Sequence, residues 1–310
     1  MKTINLFLTI FACAILLGAA ACGQAAARPT ATPEPTPTPA PTVPPGDSTR
    51  TITVGDLERT YILHIPPGLD SSRPAPVVFA FHGMFGNGAA MVLATGFNDI
   101  ADVDGFLAVY PRGYGASWNA VGCCGPAANE AIDDIGFVRQ MLADLGTIAS
   151  IDPKRIYASG YSNGAIFSYR LACEMSDTFA AIASAAGWLL TNPCQPKQPV
   201  SVIEVHSTED DYYGSIWKPS DVGIINSNTD IILPPVEQAM KTWAQLDGCN
   251  STAQVDKQGT ITHTAYSNCQ AGTAVDLYTI EGGGHGWPTK YIPTINSQVI
   301  WDFLKSHPKP

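Results

Sequence analysis

The chain has 310 residues, 45% of them hydrophobic and 14% charged, with Lys+Arg 17 against Asp+Glu 27 and a formal net charge of −10. That length and apolar content allow one large domain or two, with a sizeable core. The acidic balance excludes a nucleic-acid partner, which needs a basic face, and leaves neutral substrates open.

The first 22 residues read as a targeting segment. Lys2 precedes an apolar run from Ile4 to Leu17, and small residues follow up to Cys22. The run is too short to span a bilayer comfortably, whereas the small-residue end fits a signal peptide over residues 1–21. Ala19-Ala20-Ala21-Cys22 resembles a bacterial lipobox, in which cleavage precedes a cysteine that is then lipidated; Ala19 stands where leucine is usual. The expectation is an exported protein, anchored by lipid at Cys22 on the cell surface. An ordinary signal peptide cleaved among the alanines is the alternative. Residues 22–50 then form a Pro/Thr-rich linker. Its stretch "RPTATPEPTPTPAPTVPPG" (28–46) has no apolar pattern to pack a core. Proline at nearly every second position favours polyproline II, a semi-rigid spacer of roughly 60 Å at about 3.1 Å per residue. Such a spacer carries a domain, expected over 51–310, clear of a membrane surface.

Export implies an oxidising destination, so the cysteines are read as disulfides. Cys13 leaves with the signal peptide and Cys22 takes the lipid. Cys123, Cys124, Cys173, Cys194, Cys249 and Cys269 remain, and their spacing alone does not choose among pairings. No C-x-x-C pair and no histidine cluster suggests a zinc site, and neither a metal nor an organic cofactor is expected.

Past the linker, "TYILHIP" (60–66) alternates Tyr61, Leu63 and Ile65 on one face, as a strand covered on one side does. "VVFAF" (77–81), "LAVYP" (107–111), "RIYASG" (155–160), "AAIASAA" (180–186), "VSVIEVH" (200–206) and "VDLYTIEG" (275–282) follow. Most are continuous apolar runs, the mark of strands buried on both faces. Helical patterns alternate with them. Residues 133–149 place Ile135, Val138, Met141, Leu142 and Leu145 on one face, with an acidic pair at the positive helix end. Further helices are expected near 163–176, 236–246 and 295–305. The alternation predicts an α/β fold, a mostly parallel central sheet flanked by helices, with its site at the carboxyl ends of the strands.

Gly160-Tyr161-Ser162-Asn163-Gly164 fits G-x-S-x-G and sits between the strand "RIYASG" and the helix "NGAIFSYRLACEM". Glycines two residues either side of Ser162 remove side chains that would collide in a sharp turn, and the helix end offers N–H groups to an oxyanion. A serine nucleophile needs a base. His64 lies in a strand pattern, His263 in a polar region and His307 in the tail. His206 ends a buried strand, and His82 belongs to "HGMFG". His285, in "EGGGHGWP" after the last strand, remains, and a chain order of Ser, acid, His places the base there. The acid then comes from Glu209, Asp210 or Asp211, among which spacing does not choose. For the oxyanion, the N–H of Asn163 is one donor; on "FHGMFGN" (81–87) Met84 is the first choice for the second and Phe85 the next.

From about Thr51 to Pro310 the chain resembles the α/β-hydrolase esterases grouped as polyhydroxybutyrate depolymerases and feruloyl esterases, carbohydrate esterase family one. The stretches that carry the resemblance are "YILHIPPG", "FHGMFGN", "YPRGYGASWN", "CCGPA", "DDIGFVRQML", "SGYSNGA", "VIEVHSTEDD" and "EGGGHGWP". The resemblance implies Ser162 as nucleophile, His285 as base and Asp210 as acid. Asp210 holds the aspartate position of the family's H-G-T-x-D stretch, where Ser207 replaces the glycine. It also implies disulfides Cys173–Cys194 and Cys249–Cys269, with Cys123 and Cys124 as a vicinal pair. The implied activity is ester hydrolysis through an acyl-enzyme, on feruloyl or other acyl groups of plant polysaccharides or on hydroxybutyrate esters. Trp118, Tyr213 and Trp287, with Trp188, Tyr212 and Trp217, are candidate linings of the substrate cleft. The rival readings are a non-catalytic surface lipoprotein that binds glycans and a peptidase. The expected partner is an ester substrate, carbohydrate-linked or oligomeric.

Overall fold

A computed structural model describes residues 44–121, 123–210, 223–224, 232–290 and 296–310, within the compact unit Ala40–Pro310. In chain order the first elements are β1 (Gly46–Val54), β2 (Leu57–Ile65), β3 (Ala75–Phe81), α1 (Gly88–Thr95), α2 (Phe97–Asp104) and β4 (Leu107–Pro111). There follow α3 (Pro126–Asn129), α4 (Asp134–Gly146), β5 (Ile151–Tyr161), α5 (Asn163–Glu174), β6 (Ala181–Ala185) and β7 (Ser201–Ser207). A short pair, β8 (Gly223–Ile224) and β9 (Ile232–Leu233), precedes α6 (Val236–Leu246), β10 (Gln254–Gln258), β11 (Ile261–Tyr266), β12 (Val275–Ile280) and α7 (Ser297–Ser306).

Ten strands form one sheet in the order β1-β2-β4-β3-β5-β6-β7-β12-β11-β10. From β4 to β12 every neighbouring pair is parallel, and both flanks are antiparallel. The continuous apolar runs are the parallel centre, as two-sided burial requires. Val77, Phe79 and Phe81 of β3 face a core shared with Phe137 and Met141 of α4, Ile166 of α5 and Trp243 of α6. Val78 and Ala80, one residue out of phase, face the other core with Met91 of α1, Phe97 of α2 and Trp301 of α7. One run of sequence thus feeds two cores because successive side chains leave opposite faces of a strand.

The start of the domain differs from expectation. β1 begins at Gly46, ahead of Thr51, because residues placed in the linker pair with β2 in register from Gly46↔Ile65 to Val54↔Leu57. Arg50 anchors that edge, its Nε and Nη2 donating to Asp144 of α4 at 2.6 and 2.9 Å. β10 and β11 were not expected as strands either. Their polar residues carry no burial pattern, and β10 is an exposed edge. His263 proves to lie in β11, 3.0 Å from Asp276 and stacked on Tyr278. In α4 the acidic pair divides its tasks. Asp133 caps Gly136 N–H, while Asp134 is buried in an ion pair with Arg59 at 2.8 Å.

Disulfides join Cys173 to Cys194, Cys249 to Cys269 and Cys123 to Cys124. Each of the first two closes a loop of about 20 residues, a constraint on the unfolded chain of about 3 kcal/mol. Among the described residues no helix is long and apolar enough to cross a membrane. The signal segment, Cys22 and most of the linker lie outside the described residues.

Candidate active site

The turn from β5 into α5 is built by the steric demands of its two glycines. A Cβ on Gly160 would meet the Gly164 carbonyl oxygen at 2.2 Å, and one on Gly164 would meet that of Phe81 at 2.2 Å. Only hydrogen fits at either place. The turn holds Ser162 at φ 55°, ψ −121°, a left-handed conformation that a side chain adopts under strain. Backbone hydrogen bonds fix it there: Ser162 N–H donates to Ala185 O at 2.9 Å, and its own carbonyl accepts from Ile166 N–H at 3.0 Å.

His285 comes to this serine from the loop after β12. Its Nε2 is 2.8 Å from Ser162 Oγ and its Nδ1 2.8 Å from Asp210 Oδ2. A carboxylate accepts, so Nδ1 carries the proton and Nε2 is left to accept from the hydroxyl. The loops bearing Asp210 and His285 are laced together. Thr208 N–H donates to Ile280 O at 2.8 Å, and Gly282 N–H to Thr208 Oγ1 at 3.0 Å. Of the three candidate acids, Glu209 is exposed, Asp211 lies outside the described residues, and Asp210 meets the imidazole.

Asp210 is buried, and burial by itself opposes its charge. Hydrogen bonds from His206 and His285 outweigh that effect and hold the carboxyl below the usual carboxylate range. The arrangement is an ionised acid, an oriented imidazole and a hydroxyl whose proton has somewhere to go. Sequence reasoning missed the second imidazole. His206 Nε2 is 3.3 Å from Asp210 Oδ2, and its Nδ1 is 3.0 Å from Glu204 Oε1. A glutamate inside the apolar run "VSVIEVH", two residues before a histidine and therefore on the same face, was the signal available.

For the oxyanion donors, Asn163 opens α5, where N–H groups have no partner within the helix. Its side chain is pinned, Oδ1 accepting from Trp118 N–H at 2.7 Å and Nδ2 donating to Trp118 O at 3.1 Å. Phe85, the second choice on the facing loop, spends its N–H on Ala116 O at 2.8 Å. Met84 lines the cavity beside His285. His82 holds the base of that loop. It donates from Nδ1 to Gly83 O at 2.7 Å and accepts at Nε2 from Gly113 N–H at 2.9 Å, and burial lowers its pKa, keeping it neutral.

A cavity of about 400 Å³ opens beside His285, walled by Met84, Met91, Leu93, Ala94, Tyr161 and Trp287. Trp287 lines it while its Nε1 donates to Ser297 Oγ at 3.0 Å. Trp118 corrects the expectation of a cleft lining. It is 0% exposed, packs at 5.2 Å on Phe81 and 5.4 Å on Phe167, and donates from Nε1 to His82 O. It is a pillar under the site, because the loop that carries it folds inward onto α5. Trp188 is likewise buried, 4.6 Å from His206. Tyr213, with Tyr212 and Trp217, lies outside the described residues. Among the described residues no cluster of three His, Cys, Asp or Glu side chains is placed to hold a metal.

A family profile described as Esterase PHB depolymerase matches residues 59–266. The chain is 27% identical over 264 residues to feruloyl esterase B of Piromyces equi, covering 81% of this chain and 46% of that one. It thus spans less than half the length of that relative. It is 29% identical over 310 residues to the putative esterase NocK of Nocardia uniformis subsp. tsuyamanensis, covering 91% and 90% of the two chains. Among solved structures, the acetyl xylan esterase from Aspergillus awamori superposes with a TM-score of 0.57 at 16% identity, over 83% of this chain and 99% of that one.

Proposed function

The chain belongs to the Esterase PHB depolymerase family, carboxylic-ester hydrolases of the α/β-hydrolase fold, and from that premise we propose that it is an exported serine esterase acting through Ser162, His285 and Asp210. The observation that carries the proposal is the continuous hydrogen-bond chain from Ser162 Oγ through His285 to Asp210, 2.8 Å at each link, beside an apolar cavity.

The reaction follows from the atoms. Ser162 Oγ attacks the ester carbonyl as His285 Nε2 takes its proton, and Asp210 stabilises the imidazolium that forms. The N–H groups of Asn163 and Met84 receive the oxyanion. His285 returns the proton to the leaving alcohol, water then attacks the acyl-enzyme with His285 again as base, and the acid is released. No cofactor takes part in these steps. A glycan-binding role without catalysis leaves this aligned chain without a purpose.

The substrate we propose is a feruloyl or similar acyl ester of a plant polysaccharide. An apolar slot edged by Tyr161, Met91 and Trp287 suits an aromatic acyl group, and a relative named feruloyl esterase supports that choice. A second reading, a hydroxybutyrate oligomer, is favoured by the apolar rim. Leu93 is 87% exposed at the cavity and Phe85 80% exposed on the adjoining turn, as a surface meeting a polyester requires.

The deciding experiment compares kcat/KM for methyl ferulate, acetylated xylo-oligosaccharide and hydroxybutyrate oligomer on protein lacking residues 1–43. Ferulate or acetyl-xylan is expected to lead; a lead for the oligomer transfers the assignment to polyester. Ser162→Ala is expected to lower kcat by about 10⁴- to 10⁶-fold with an unchanged circular dichroism spectrum. Turnover surviving in that variant ends the serine mechanism. The N-terminal signal segment, Cys22 and the proline spacer support export and a lipid tether. Cys22→Ser is expected to move the protein from the membrane to the soluble fraction; identical fractionation of both forms rejects the tether.

A further inference from the structure

Asp210 faces two imidazoles, and a triad calls for one. The same oxygen, Oδ2, lies 2.8 Å from His285 Nδ1 and 3.3 Å from His206 Nε2. Behind His206 stands a second carboxylate, Glu204, 3.0 Å from Nδ1. All three side chains of this inner group are buried. Glu204 is itself an acceptor on both oxygens, from Gly187 N–H to Oε1 at 3.3 Å and from Tyr169 O–H to Oε2 at 3.1 Å. With a carboxyl oxygen at each ring nitrogen, His206 meets both neighbours as carboxylates by donating twice, which is the imidazolium. Burial raises the pKa of Glu204, and the hydrogen bond and charge of His206 oppose that rise. Burial alone would discharge it, but hydrogen bonds and charge from Asp210 and Glu204 outweigh burial and push its pKa up to about 9. Among the described residues, the Trp188 ring from the β6 loop packs against it, Tyr169 from α5 stands behind Glu204, and His285 lies across Asp210.

We propose that the buried Glu204–His206 pair is a positioning unit for the acid of the triad: His206, held protonated by Glu204, orients the Asp210 carboxylate toward His285 and balances its charge. The inference rests on the serine-esterase reading above. Two consequences follow from the geometry. Without His206, Asp210 loses one of its two imidazole donors and the imidazole of His285 is less firmly aimed, so kcat falls while substrate binding is untouched. Without the cation, the negative charge next to His285 is less compensated, which favours the protonated, inactive imidazole. The acid limb of the pH profile then moves to higher pH. A merely structural role for the pair changes the melting temperature and leaves that limb in place.

The test measures kcat, KM and the pH profile of kcat/KM with methyl ferulate and p-nitrophenyl acetate, for the unsubstituted protein, Ser162→Ala, His206→Asn and the double variant His206→Gln/Glu204→Gln. His206→Asn is expected to lower kcat by about 10- to 100-fold, with KM within about 2-fold and the acid limb raised by about half a pH unit or more. Should Glu204, left unpaired, prevent that variant from folding, the double variant decides. It removes both charges together and so leaves no unpaired buried ion, and is expected to melt closer to the unsubstituted protein than His206→Asn does while showing the same direction of shift. A folded variant of either kind with the kcat and acid limb of the unsubstituted protein overturns the inference and leaves the triad standing. Turnover that survives Ser162→Ala overturns the reading beneath it, and the inference with it.

Discussion

Asp210, at the carboxyl end of the sheet, and Asp247, at the end of α6, are 3% and 0% exposed, yet their pKa values move in opposite directions. Asp210 meets two imidazoles and is held below the ordinary carboxylate range. Asp247 accepts from the Val200 N–H at 3.2 Å; burial dominates, and its pKa is pushed up to about 7. Depth in the protein is therefore not what makes a carboxylate ionised. The partner is. Asp134 lies between them, with burial raising its pKa against the opposing charge of Arg59 at 2.8 Å.

Three substitutions probe that contrast. The largest effect is expected at Asp210→Asn, where the amide keeps the shape and removes the charge. The imidazole loses its fixed tautomer, and kcat is expected to fall by about 10³- to 10⁴-fold with little change in melting temperature. A loss below tenfold breaks the contrast at its functional end. Next is Arg59→Met. It removes the guanidinium that Asp134 faces and that lies 4.1 Å over the Phe137 ring. Denaturant unfolding is expected to show a loss of about 3–5 kcal/mol at pH 7, because an uncompensated buried carboxylate remains. An unchanged midpoint means water or another group already balances Asp134.

The smallest effect is expected at Asp247→Asn, and it has the opposite sign. Between its ordinary pKa of 3.8 and about 7, the folded chain holds a proton that the unfolded chain has released. Stability from this group therefore falls as pH rises through that window and stays low above it. Removing the charge is expected to raise stability at pH 8 by about 2–4 kcal/mol and to leave it unchanged near pH 4. Equal melting shifts at both pH values reject the raised pKa.

The strands of the parallel centre were legible because two-sided burial writes an unbroken apolar run, as in β3 and β4. The edges were not. β1 lay hidden at the end of a proline linker and β10–β11 in polar residues, since an exposed antiparallel strand is held by its neighbour's backbone rather than by its own side chains. At the site, the Ser162 turn and the place of His285 could be read, whereas the choice of Asp210 over its neighbours came from a family resemblance. Trp118 was misread because a tryptophan near a strand end has the same spelling whether it walls a cleft or supports it.

What the sequence by itself determined was local: Gly160 and Gly164 permit the turn at Ser162, and the order of apolar runs builds the sheet that carries it. Only the tertiary structure decided which groups meet. Ser162 and His285 are 123 residues apart in the chain, and their 2.8 Å contact exists because β5 and β12 end on one side of the same sheet. The charge on Asp210, like the proton on Asp247, is set by neighbours brought in from distant elements, and electrostatics acts through space, not along the chain.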